Sequence, residues 1–89
     1  MKYLVEFWVK EPFAENMKKV LEIEAEMYKK GEAFEKWVVF KIHYLLNEQK
    51  AIMIVDADSV KLAKWEKAYF AVMSYKFSPL MERSEFDKL

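Results

Sequence analysis

Where this chain alternates with a period of two, neither face is plain surface. Phe7, Val38, Phe40 and Ile42 fall on one side, where they can bury a sheet against other elements. Glu6, Trp8, Lys41 and His43 fall on the other. Large aromatics mixed with charge on that second side need cover. The pattern therefore calls for a sheet with one helix-covered face and one face that meets a partner subunit or a ligand.

The order of periodicities along the chain gives the elements. Met1 to Lys10 alternates, with Tyr3, Val5, Phe7 and Val9 on one face and Leu4, Glu6 and Trp8 on the other, which predicts a first strand. Glu11-Pro12 breaks that period. Phe13, Met17, Val20, Leu21 and Tyr28 then recur at helical spacing, predicting a helix of about five turns with a charged, solvated outer face. Gly31, the only glycine, follows two lysines and serves as a left-handed helix stop. Lys36 to Leu46 reads as a strand, Asn47-Glu48-Gln49 as a turn, and Lys50 to Val55 as the antiparallel return strand. Asp58 or Ser59 caps a second helix whose stripe is Leu62, Trp65, Tyr69 and Val72. Tyr75 to Met81 is the last strand, and Pro79, which lacks an amide hydrogen, assigns it to an edge or a bulge. Ser84 caps a short final turn, with Phe86 and Leu89 spaced to dock on the body or on a second subunit.

With 89 residues the chain has room for a single domain, 1–89, and a core so small that association is a natural supplement to it. Fifteen basic and fifteen acidic residues cancel, leaving no net field to attract nucleic acid or anionic lipid. No stretch approaches the roughly 20 apolar residues of a membrane span, and the N-terminus lacks a leader pattern. The absence of cysteine removes disulfides, thiol nucleophiles and thiolate metal sites. These features place the protein in the cytoplasm, with neither nucleic acid nor membrane as partner.

Strand, helix, strand, strand, helix, strand is the split βαβ order. Right-handed crossovers then set both helices on one face of a four-stranded antiparallel sheet, an α+β, ferredoxin-like βαββαβ fold. Several segments resemble a family of short proteins catalogued as a domain of unknown function: Met1 to Phe7, Ile54-Val55-Asp56-Ala57-Asp58, Leu62-Ala63-Lys64-Trp65 and Phe77-Ser78-Pro79-Leu80. More broadly the chain resembles the dimeric α/β-barrel superfamily. The resemblance implies a homodimer in which two helix-free sheet faces meet. That superfamily spans cofactor-independent monooxygenases, isomerases, peroxidases and ligand-binding regulatory modules, so the fold selects no chemistry.

If the strand registers align, Glu6, Trp8, Lys41 and His43 share the helix-free face, with Trp37 beside them on the second strand. A catalytic reading takes His43 as proton shuttle, Glu6 as its orienting group or base, and Lys41 as an oxyanion stabiliser. Trp8 and Trp37 would wall a ligand cavity. A structural reading pairs Glu6 with Lys41 and packs both tryptophans into a dimer core. One histidine and no ligand spacing predict no metal, and no cofactor fingerprint is present. The third strand, Lys50 to Val55, lacks the stacking aromatics of RNA-recognition modules. The expected function is a small homodimer binding an organic ligand between its paired sheets, with a cofactor-independent monooxygenase or isomerase as the alternative.

Overall fold

In the computed structural model, which describes residues 1–89, the chain forms β1 (Lys2–Val9), α1 (Phe13–Lys29), a 3₁₀ turn (Phe34–Trp37), β2 (Val38–Leu45), β3 (Lys50–Asp56), α2 (Ser59–Tyr69), β4 (Met73–Pro79) and a single-turn α3 (Arg83–Phe86). The strands make one antiparallel sheet in the order β2-β3-β1-β4, giving the expected ferredoxin-like α+β fold. β1 lies inside the sheet and alternates as its sequence requires. Val5, between Met53 and Phe77, is fully buried on the helix side, while Glu6, between Ile52 and Lys76, faces away from the helices. Met53 and Val55 complete the centre of the core. β4 is an edge strand, so the missing amide hydrogen of Pro79 interrupts no interior ladder.

Both helix boundaries follow from local chemistry. The Asp58 carboxylate accepts a hydrogen bond from the amide of Lys61 at 2.8 Å and caps α2. Leu62, Trp65, Tyr69 and Val72 are all buried, as their spacing predicts. Gly31 adopts φ +69° after α1. The amide of Gly31 reaches the carbonyl of Tyr28, and the amide of Glu32 reaches the carbonyl of Met27, closing the helix with a Schellman motif.

Several expectations need correction. The inward face of α1 is Asn16, Val20, Ile23 and Met27, whereas Leu21 and Tyr28 are more than half exposed. Asn16 turns inward because its Nδ2 donates to the Lys10 carbonyl at 2.9 Å, tying the helix start to the end of β1. β2 begins at Val38, the preceding residues forming the 3₁₀ turn, and it is bulged twice. Phe40 pairs with Ile54 and so lies on the helix-free face, away from its expected companions Val38 and Ile42. β4 starts at Met73 and ends at Pro79, and α3 is capped at Glu82, with Ser84 inside the turn. Phe86 and Leu89 dock on nothing within the chain, at 64% and 90% exposure.

Candidate functional site

The helix-free face is organised in rows across the strands. Lys76, Glu6, Ile52 and His43 form one, and Ser78, Leu4, Ile54 and Phe40 the next. Glu6 is bracketed by two ammonium groups, Lys50 Nζ at 3.4 Å from one oxygen and Lys76 Nζ at 3.8 Å from the other. Glu48 beside Lys50, and Glu6 after it, hold the Lys50 ammonium above the usual lysine range. His43 stacks on Phe40 with ring centres 4.6 Å apart. Its Nδ1 lies 2.8 Å from the Lys41 carbonyl oxygen. A carbonyl only accepts, so Nδ1 carries the proton and Nε2 is left as the free ring nitrogen of the neutral ring.

Glu6 and His43 belong to one row but stand two strands apart, about 10 Å at the usual strand spacing. They therefore make no hydrogen-bonded acid–base pair within a chain. Glu6 also does not pair with Lys41, because β3 separates their strands and supplies Lys50 as the nearer partner. Trp8, 38% exposed, stands on the helix-free face opposite Ser74. Trp37 does not join it. It lies in the 3₁₀ turn, packs against the helix-side core and carries Lys61 Nζ of α2 at 5.7 Å from its ring centre. Of the five candidate residues, Glu6, Trp8 and His43 are thus brought onto the sheet's open face, Lys41 lies exposed within the second bulge, and Trp37 is elsewhere. At the margin of that face, Val39, Phe40, Ile54, Leu80 and Met81 surround a shallow depression of about 470 Å³.

The larger concavity is on the helix side. Between α1 and the sheet lies a cleft of about 700 Å³, lined on α1 by Phe13, Met17, Val20 and Glu24 and reaching the β2–β3 turn. Its depths are apolar and aromatic, including Phe7, Met17, Val20, Phe34, Trp65 and Tyr69. Phe34 and Trp65 stack with ring centres 5.2 Å apart, and Tyr69 meets Trp65 edge-on. Burial pushes the Tyr69 phenol up to about 12, helped by the negative charges of Glu24 and Glu35. Glu35 in turn accepts a hydrogen bond from the Tyr28 hydroxyl. The Nε1–H of Trp65 is closed off from solvent and has no acceptor. Glu11, Glu24, Glu48, Gln49 and Lys50 supply the polar part of the lining.

A cleft of this size, mostly apolar with a few polar groups, has the proportions of a small-molecule site. Sequence reasoning missed it because its residues read as ordinary core positions. Two signals were available: Trp8, a candidate wall residue that also borders this cleft, and Glu24, a carboxylate set between Ile23 and Met27 on the inward side of α1. No three His, Asp or Glu side chains converge as a metal-binding group, and no helix is long and apolar enough to cross a membrane. Compared with known proteins, the chain matches no family model and no curated protein.

Proposed function

We propose that this protein is a homodimeric small-molecule-binding protein, paired through the helix-free sheet face, with its ligand held in the helix-side cleft of each chain. The observation that carries the pairing is the composition of the open face, where Leu4, Trp8, Phe40, Ile52 and Ile54 are arranged around the Glu6 charge cluster. Surface area points the same way. The single chain exposes 6689 Å², about 1,100 Å² more than a compact monomer of its mass. That excess is the size of one partner's share in a specific interface, roughly 800 Å². Its Cα radius of gyration, 14.2 Å, likewise exceeds the roughly 12 Å of a compact 89-residue domain. Face-to-face sheets are the arrangement implied by the resemblance to the dimeric α/β-barrel superfamily. The lack of cysteine fits a cytoplasmic setting.

Native mass spectrometry of untreated protein at ~10 µM, a concentration at which specific dimers of micromolar or tighter affinity are populated, tests both halves of this reading. The expected result is a dimer, with Ile54→Lys giving a monomer of unchanged helix content. A wild-type monomer at that concentration would overturn the pairing. A co-purified small molecule retained by the Ile54→Lys monomer would assign the ligand to the cleft, whereas one lost with the dimer would return it to the space between sheets.

A further inference from the structure

We infer that the helix-side cleft is selective for organic cations, an amine or quaternary ammonium carried on an apolar or aromatic body. This rests on the reading that the cleft is a ligand site, and it adds the charge and shape of what enters. Four charged side chains contribute to the lining, and three are carboxylates: Glu11, Glu24 and Glu48. The fourth, Lys50, is already bracketed by Glu6 and Glu48, each at 3.4 Å. Its charge is spent on those neighbours, so a bound anion gains little from it.

Glu24 is the group left over. It is half-buried on α1 and forms no ion pair, and its charge is felt by the Tyr69 hydroxyl across the cleft. A carboxylate removed from part of its water, with no cation beside it, interacts strongly with a positive group brought into the same low-dielectric space. Glu11 is partly occupied, since one oxygen accepts the Phe13 amide at 3.1 Å. Beyond the carboxylates the lining carries rings with surface left open, Trp8, Phe13 and Tyr44 exposed and Phe7 and Phe34 partly so, while Trp65 and Tyr69 are almost wholly covered. Ring faces attract desolvated cations, most strongly when several surround one centre. An anion meets the opposite conditions, because it faces Glu24 and the negative faces of the rings. The Trp65 Nε1–H is closed off and does not reach it, and Gln49 offers only a neutral amide donor.

A matched series isolates charge from shape: 3-phenylpropylammonium, 3-phenylpropanol and 3-phenylpropanoate, titrated at neutral pH into isotope-labelled dimer or monomer as purified. The indole resonance of Trp65 and the ring resonances of Tyr69 locate the binding. The ammonium should bind roughly tenfold or more tightly than the alcohol, and the carboxylate most weakly, a ratio of the size expected for a cation among desolvated rings. Glu24→Gln should bring the ammonium down to the alcohol's affinity and leave the alcohol unchanged, with thermal stability preserved. Met17→Trp, which fills the cleft, should abolish all three. Equal affinities at Trp65 and Tyr69 for the whole series would overturn the cation preference while upholding the ligand site. Perturbations confined to the helix-free face, or none at millimolar concentration, would overturn both.

Discussion

The two helices lie on the same sheet face and treat it differently. α2 presents Leu62, Trp65 and Tyr69 to the strands at 2 to 5% exposure, and Trp65 meets Tyr75 and Phe77 on β4 as well as Tyr69. α1 is the longer helix but buries only Asn16, Val20 and Met27, and leaves Phe13 and Leu21 each 56% exposed. It is fastened at its ends, through Asn16 to the Lys10 carbonyl and through the Gly31 stop, while the stretch between spans the cleft. Cohesion and access are thereby separated. The α2 half supplies the cooperative core, and the α1 half keeps an open cleft at the cost of weaker local packing.

Truncations on the two helices test that division most sharply. Leu62→Ala removes a buried side chain from a packed site and should cost about 3 kcal/mol in urea denaturation. Met17→Ala removes one that borders open space, so it forfeits fewer contacts and should cost under about 1 kcal/mol. Comparable losses from the two would show that the cleft closes in solution.

Alkaline pH gives a second, intermediate probe of the packed half. Burial raises the phenols of Tyr69 and Tyr75 above their ordinary value, so both stay protonated in the fold to a higher pH than in the unfolded chain. The folded state thus binds more protons above pH about 10, and stability falls as pH rises from there toward the Tyr69 value of about 12. Melting temperatures should be level between pH 7 and 9 and drop beyond 10, with Tyr75→Phe flattening the drop. A Tyr75→Phe profile as steep as wild type would remove Tyr75 as a source of the loss.

The smallest effect belongs to the caps. Asp58→Ala leaves the Lys61 amide without its carboxylate and should cost about 1 kcal/mol. Hydrogen exchange should then show faster opening in the first turn of α2 but no change in α1, which has no side-chain cap at its own start. Equal acceleration in both helices would mean that they open as one unit.

Much of this division was legible in the sequence, and what was not has identifiable causes. β1 and α2 were readable because each keeps one period throughout, and because Glu11-Pro12 breaks the chain after the first and Asp58 caps the start of the second. β2 was not, because each bulge inserts one residue into the alternation, so Phe40 changed faces without any change in composition. α1 misled for a different reason. Its apolar residues cover more than one stripe, so a reading that took Leu21 and Tyr28 passed over Ile23 and Met27, which face the core on the side where Asn16 bonds the Lys10 carbonyl. The open-face candidates Glu6, Trp8 and His43 were found by simple alternation. Trp37 was misplaced because the strand starts one residue after it.

The irregular course of β2 also bears on how copies of the chain can meet. An edge strand with a regular ladder offers its unpaired amides and carbonyls to any neighbouring strand, and such growth has no natural end. One lateral border of this sheet is kinked by two extra residues, and the other terminates at a proline. Lateral addition is disfavoured on both sides, which guards the chain against fibre formation. The pairing proposed above would consume the surface that drives it and so would stop at a finite size.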